Sequence, residues 1–393
     1  MTRFCSIFSQ LLQLFPRVEF EQAVKKHQAE RSAKGFTSWG QFVAMLFSQL
    51  GRAHSLREIC GGLASCEGKL KHLGVPETPK RSTLAYANAN RPWELYQTVF
   101  EQLYGKCQSA VATLGGKRKF RFKNKLASLD ASTIDLCLSI FDWAKFRRTK
   151  GAVKLHLLLD HDGYLPSYAV ITDGKTSDIR VARTMKFAPG TVLAIDRGYN
   201  DYTWFADLSD QDVYFVTRMK DNADYEVVER RDVPEKGHVR SDEVIFFYSM
   251  AAADKKYYFR RVEVWDEEKQ RTFVFLTNHL TFGSTTIAAI YKDRWQVELF
   301  FKAIKQNLKI KTFLGTTANA VHTQIWTALI AMLVVRYLQL TSTFAWSLSN
   351  LVALLRYQLF VYRDLRTWLN SPFEAPPALE GIHDAQLVLE LAR

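Results

Sequence analysis

The chain has 393 residues, enough for roughly two or three domains or for one core carrying a large insertion. Its composition, 47% hydrophobic, 24% charged and 13% aromatic with 19 glycines and 10 prolines, excludes disordered, collagen-like and coiled-coil classes. Net charge is +13, and residues 1–129 hold 20 Lys and Arg against 8 Asp and Glu, so +12 of it lies in the first third; that asymmetry points to a polyanion, of which nucleic acid is the commonest.

The apolar start, Phe4 to Phe15, is broken by Ser6, Ser9, Gln10 and Gln13 and lacks a small-residue cleavage site, which predicts an amphipathic helix and not an export signal. Helical spacing continues over Val18 to Glu30, Trp39 to Leu50, Ser55 to Leu63, Ser82 to Asn90 and Trp93 to Leu114, a small helical domain over residues 1–115 suited to DNA binding. The helix after Lys80 and Arg81 either enters a DNA groove or lies on the surface. Lys117, Arg118, Lys119, Arg121, Lys123 and Lys125, interleaved with Phe120 and Phe122, form the densest basic cluster: a run of phosphate contacts, or a solvated linker. Cys5, Cys60, Cys66, Cys107 and Cys137 make no CxxC pair and no Cys/His array, which fits a reducing cytoplasm and argues against disulfides or a zinc finger.

From Lys125 the pattern changes to strands at Leu126 to Ser132, Val153 to Asp160, Tyr164 to Thr172 and Val192 to Asp196, with Asp162-Gly163 as a hairpin signal. Helical segments at Asp178 to Lys186 and Tyr202 to Leu208 then alternate with the strand at Val213 to Thr217, so a mixed α/β sheet is expected over 125–322. Residues 220–276 break the alternation with β-like runs at Tyr225 to Glu229, Val244 to Tyr248, Tyr257 to Trp265 and Thr272 to Leu276, an all-β insertion. Helices resume near Thr285 and run nearly to the end, interrupted around Ser371 to Pro377. The apolar run Ile325 to Val335, closed by Arg336, covers about half of the ~20 residues that cross a bilayer and predicts a buried helix.

The most informative segment is Tyr291 to Lys305. On a helix counted from Tyr291, Arg294, Glu298 and Lys305 fall at about 300°, 340° and 320°, one narrow polar stripe. Ile290, Val297, Phe301, Ile304 and Leu308 fall between about 220° and 280°, so the stripe borders the buried face, where a solvated face would oppose it. The plain alternative is an exposed Arg294–Glu298 ion pair. Two further carboxylates are delivered by strands: Asp130 in Leu129-Asp130-Ala131-Ser132, and Asp196 at the end of Val192 to Ile195, just before Arg197-Gly198-Tyr199. Such residues are either functional groups at a strand end or turn caps. Three carboxylates without His or Cys ligands suit hard cations such as Mg²⁺ or Mn²⁺. A pair of ions about 4 Å apart activates a water or 3′-hydroxyl on one side of a phosphate and stabilises the leaving oxygen on the other. Arg294, Lys305 and Tyr291 would then grip neighbouring phosphates.

Tyr291, Arg294, Glu298 and Lys305, spaced as Tyr-x2-Arg-x3-Glu-x6-Lys, resemble the signature of the transposases of bacterial insertion-sequence family 4. Asp196-Arg197-Gly198-Tyr199 is similar to that family's second-aspartate motif and Leu129 to Thr133 to its first. Residues 1 to 70 resemble the helical N-terminal domain of one branch. The resemblance implies an RNase H-like catalytic core with an Asp130, Asp196, Glu298 triad holding Mg²⁺ or Mn²⁺, two ions per site, and helical regions at both ends. It implies action on the terminal inverted repeats of the element and on target DNA, as a homodimer, in the bacterial cytoplasm and nucleoid. The helices over 323–393 are expected to contribute to dimerisation. Trp295 and Trp265 stack on an unpaired base near the cut or simply pack.

Asp135, Asp142 and Asp160 are alternative first ligands. Lys154 and His156 alternate along one strand, where a hydrogen-bonded core histidine competes with a ligand; Asn278 and His279 fall close to the metal site by topology. The rival function is a catalytically inactive, transposon-derived DNA-binding protein. A glycosidase-like carboxylate pair leaves the basic first third without a purpose.

Overall fold

The computed structural model of the chain describes residues 5–31, 33, 35–66, 68–114, 119–147, 150–250, 255–308 and 313–374. Phe4, Lys117, Arg118 and the part of the Ser371 to Pro377 interruption after Glu374 lie outside the described residues. The helical first part contains α1 (Ile7–Leu12), α2 (Arg17–Lys26), α3 (Ser38–Leu50), α4 (Leu56–Ala64), α5 (Arg81–Asn90) and α6 (Glu94–Leu114). Ser6, Thr37 and Ser55 cap α1, α3 and α4 by accepting the backbone N–H three residues on, which fixes where those helices start.

The strands follow in the expected alternation: β1 (Leu126–Leu136), β2 (Lys145–Arg147), β3 (Lys150–Asp160), β4 (Leu165–Asp173), α7 (Asp178–Ala182), β5 (Val192–Ile195), α8 (Tyr202–Asp210) and β6 (Tyr214–Arg218). Gly163 in the β3–β4 turn has φ +82°, and a Cβ there would meet Val111 Cγ2 of α6 at 2.9 Å, so both the turn and the close approach require glycine. Residues 220–276 supply β7 (Tyr225–Arg230), β8 (Val239–Phe247), β9 (Phe259–Asp266) and β10 (Arg271–Thr277). These four do not fold apart. β10 pairs antiparallel with β6, Phe275 opposite Arg218, and the sheet runs β2-β3-β1-β5-β6-β10-β9-β8-β7, with β4 also paired to β3. β1 is antiparallel to β3 and parallel to β5, which is parallel to β6.

The chain closes with α9 (Ser284–Asp293), α10 (Trp295–Asn307), α11 (Ala318–Thr341), α12 (Leu348–Gln358) and α13 (Leu365–Asn370). Strand β5 is buried on both faces, as a continuous Val-Leu-Ala-Ile run requires. Val192 and Ala194 pack with Ile287 and Ile290 of α9, while Leu193 and Ile195 pack with Phe205 and Leu208 of α8. Among the described residues α11 is the helix long and apolar enough to cross a membrane, and 83% of that apolar stretch is buried inside the protein. It packs against α3, α5 and α6, so both ends of the chain share one core. The expected boundary at residue 323 therefore falls inside a helix. The backbone N–H groups of Ile7 and Phe8 also donate to Val361 O and Leu359 O, at 3.0 and 2.8 Å, tying α1 to the residues just after α12.

Candidate active site

Alternation along β1 puts Leu126, Ser128, Asp130 and Ser132 on the face covered by α9 and α10. The parallel register sets Leu129 beside Ile195, so Asp130 and Asp196 follow at neighbouring positions. Asp196 leads into a short 3₁₀ turn, Arg197–Tyr199. Glu298, in the first turn of α10, joins them through Arg294, whose Nη2 donates to Glu298 Oε1 at 2.7 Å and Nη1 to Asp130 Oδ2 at 3.3 Å. Tyr291 OH donates to Asp196 Oδ1 at 3.4 Å. Burial pushes the Asp130 carboxyl up to about 6; the Ala131 N–H and Arg294 oppose this, while Glu298 and Asp196 add to it.

The stripe expected on one helix is divided. α9 ends at Asp293 and α10 starts at Trp295, although the Arg294 backbone stays helical (φ −52°, ψ −31°). Arg294 N–H donates to both Ile290 O and Tyr291 O at 3.2 Å, and its carbonyl accepts from Val297 N–H at 3.0 Å, a locally tightened turn that keeps the stripe on one side. The tightening falls beside an anchor. Asp293, 2% exposed, accepts from Lys119 Nζ at 2.5 Å and from Tyr164 OH at 3.2 Å, and pairs with His161 Nδ1 at 2.6 Å. His161 Nε2 in turn meets Ser128 Oγ at 2.7 Å. Burial alone would raise the Asp293 carboxyl, but His161 and Lys119 outweigh it and hold it below the usual carboxylate range. Lys305 reaches β1 as well, with Nζ donating to Ser132 Oγ at 2.6 Å and Thr133 O at 3.0 Å. Thus Ser128, Asp130 and Ser132, successive on one face, meet Asp293 (through His161), Arg294 and Lys305.

Other sequence-singled residues take varied places. Arg197 is half-exposed and 3.7 Å from Asp221. Trp295 is 55% exposed at the start of α10, and Trp265 is half-buried in β9. Lys119, Arg121, Lys123 and Lys125 are exposed; Lys117 and Arg118 lie outside the described residues. Asp135 and Asp142 are exposed away from the carboxylates, and Asp160 pairs with Lys125 and Tyr104 at the far end of β1. His156 is buried and bonded to Thr172 Oγ1 at 2.9 Å, and Lys154 pairs with Asp178 at 2.9 Å. Asn278 holds the Phe215 N–H and the Val213 carbonyl, and His279 stacks on Phe282, both at the start of β6 and away from Asp196.

Sequence reasoning missed three groups. Asp293 falls at about 200° on the same helical count, beside the apolar arc, and that position was a readable sign of a buried carboxylate. Arg218, at the end of β6 on the α9 side, acts electrostatically on Tyr291. Tyr199 is 3% exposed with a buried hydroxyl that finds no hydrogen-bond partner, and burial, reinforced by Asp130, Asp178 and Asp196, pushes its phenol up. Nothing in the local sequence marks it as enclosed.

The donors gathered at this site are carboxylate oxygens, the set preferred by a hard divalent cation. Among the described residues no three acidic, His or Cys side chains already form a closed metal cage. The Arg294 guanidinium supplies positive charge between Asp130 and Glu298.

Residues 121–334 match the sequence model of a family described as a transposase DDE domain, and residues 5–76 match one described as a domain of unknown function, DUF4372. The chain is 30% identical over 331 residues to a putative transposase y4zB of Sinorhizobium fredii, covering 83% of this chain and 89% of that protein. It is 28% identical over 259 residues to a probable transposase for insertion sequence element IS5377 of Geobacillus stearothermophilus, covering 65% and 67%. A putative transposase for insertion sequence element IS4SA of Synechocystis is 29% identical over 181 residues, 44% of this chain and 49% of that protein. Among solved structures, a piggyBac transposase synaptic complex with hairpin DNA aligns with TM-score 0.42 and 9% identity over 100% of this chain and 85% of that one.

Proposed function

The chain belongs to the family of transposases with a DDE domain, and from that premise we propose that Asp130, Asp196 and Glu298 are the three acidic residues of its active centre, cutting and joining DNA at the ends of an insertion sequence. The observation that carries the assignment is the parallel pairing of β1 with β5, which brings Asp130 and Asp196 to adjacent positions beneath α9 and α10, where Tyr291 meets Asp196 and Arg294 links Asp130 to Glu298. The order β4-β3-β1-β5-β6, antiparallel then parallel, supports reading the core as RNase H-like, with 220–276 inserted as an extension of the same sheet.

The three carboxylates would hold Mg²⁺ or Mn²⁺, at up to two positions. Bound there, such ions supply an activated water or 3′-hydroxyl and Lewis-acid stabilisation of the leaving oxygen. The protein's own residues prepare the centre. Asp130 sheds its proton above about pH 6 and becomes a competent ligand. Arg294 and Tyr291, now bonded to the carboxylates, are the cation and the hydroxyl nearest the substrate phosphates, and Lys305 fixes α10 on β1. Recognition of terminal inverted repeats and target DNA is assigned to the basic residues of 1–115 and to Lys117, Arg118, Lys119 and Arg197, with Trp295 beside the centre. Assembly as a homodimer is assigned to α12 and α13 in the 323–393 region, since α11 is enclosed while Tyr357 and Phe373 are exposed.

The test is incubation of purified protein with a duplex carrying the element boundary in Mg²⁺ or Ca²⁺, beside Asp130→Ala, Asp196→Ala and Glu298→Gln. Nicking at the boundary in Mg²⁺, lost in all three variants with binding kept in Ca²⁺, is expected. Specific binding without cutting in any metal would instead identify an inactive DNA-binding derivative.

A further inference from the structure

The core helix α11 carries one Lys or Arg side chain, Arg336. Its Nη1 donates to Gln339 Oε1 at 2.8 Å, its Nε is buried without a hydrogen-bond partner, and among the described residues no carboxylate pairs with it. Arg336 is part-buried and its guanidinium faces no carboxylate, so an anion at this place would supply the missing counter-charge and an acceptor for the cation. Burial holds its pKa below the usual arginine value.

Arg336 lines a cleft of about 980 Å³ between the end of α6, the segment leading into β1, the β3–β4 turn and α11. Lys119, Lys123, Lys125 and His161 line it too. The acidic residues of the wall are Asp160 and Asp162, and Asp160 is already engaged by Lys125 and Tyr104. Lys125 is paired with Asp160 and Lys119 with Asp293, which leaves Arg336 as the guanidinium of the wall with no carboxylate beside it among the described residues. The cleft begins where β1 begins, and Asp130 lies five residues further along that strand from Lys125. At about 3.3 Å per residue the offset is roughly 16 Å, which spans between four and five steps of duplex at ~3.4 Å each.

We propose that this cleft is a second phosphate site, seating a backbone phosphodiester of the bound DNA some four or five steps from the one at the carboxylates, with Arg336 and Lys123 as donors. The proposal rests on the transposase reading and adds a contact on the far side of the Lys119–Asp293 pair from the active centre. The ligand chemistry is a phosphate oxyanion, and DNA is its source.

The experiment measures binding of a fluorescent duplex carrying the element end, by anisotropy in Ca²⁺ across a salt series, for the unaltered protein, Arg336→Gln and Lys123→Gln. Lys123 is exposed, and the melting temperature of its variant is read beside its binding so that a change in the fold is told apart from a change at the site. Arg336→Gln should weaken binding about tenfold and Lys123→Gln about threefold at low salt, each lowering the slope of log K against log salt by about one. The melting temperature of Arg336→Gln should stay level, because no carboxylate loses its partner and a glutamine amide still bonds within the helix. Unchanged slopes in both variants, with the unaltered protein binding normally, would overturn the site and leave the transposase reading standing. No duplex binding by the unaltered protein would remove that reading and the site with it. Calorimetric titration with inorganic pyrophosphate separates the sources: binding abolished by Arg336→Gln, with DNA slopes unchanged in both variants, would mean a free phosphate ligand and overturn the DNA assignment.

Discussion

Asp293 and Arg294 are neighbours in the chain with opposite tasks. Asp293 is locked among Lys119, His161 and Tyr164, and Arg294 is thereby held over the carboxylates. Removing the buried charge while keeping its shape, Asp293→Asn, should destabilise the protein by about 2–4 kcal/mol at pH 7, since it leaves the Lys119 ammonium without its ionic partner and His161 Nδ1 without a carboxylate acceptor. Because the folded carboxyl titrates below its unfolded value, its contribution is present above about pH 4 and is lost as pH falls through the lowered value. Denaturant unfolding should therefore separate variant from parent at pH 7 and bring them together in acid. An equal gap at pH 7 and pH 3 would mean that the carboxylate's charge is not what stabilises the turn. At this scale the sequence was partly legible. The helical count put Arg294, Glu298 and Lys305 on one edge of the buried face, but the tightened turn at Arg294 depends on His161 and Tyr164, more than a hundred residues away, and no local pattern encodes it.

β1 and α10 are the elements that meet at the site, and Lys305 is a tie between them as much as a candidate phosphate donor. Its ammonium donates to one hydroxyl and one carbonyl of β1, hydrogen bonds from a charged group that are worth about 1.5–3 kcal/mol. Lys305→Met should lower unfolding stability by about 1–3 kcal/mol while keeping the aliphatic stem packed. If Lys305 also contacts DNA, the same variant lowers the salt slope of binding by about one. A loss of slope with full stability would mean that the tie to β1 contributes nothing in solution. Strand and helix extents were readable from periodicity and caps; their partners were not. The runs over 220–276 alternate as strands should, yet nothing local says that β10 pairs with β6 and extends the sheet, because register is decided by residues distant in sequence. The apolar run ending at Val335 predicts burial of α11, but only the fold shows that helices from both ends of the chain enclose it.

Across the whole molecule, two buried histidines and the part-buried Asp130 oppose one another in mild acid. His156, 1% exposed beside Lys154 and Asp178, and His279, 7% exposed near Arg260, are each pushed down to about 4, chiefly by burial. Their unfolded forms take up a proton near pH 6.5 and their folded forms do not, so each removes stability as pH falls from about 6.5 toward 4. Asp130 has the reverse sign. Its folded form binds a proton near pH 6 and its unfolded form only near 4, so it returns stability over the same range. Each contribution is of the order of 2 kcal/mol, so two losses outweigh one gain. In EDTA, Asp130→Asn, relieved of a desolvated charge, should be more stable than the parent at pH 7 and should lose about 2 kcal/mol more unfolding free energy than the parent between pH 7 and pH 4.5, because the compensating proton uptake is gone. Denaturant midpoints at pH 7, 6 and 5 decide this. A shallower acid loss in the variant than in the parent would show that the folded Asp130 carboxyl does not take up its proton at a higher pH than the unfolded one.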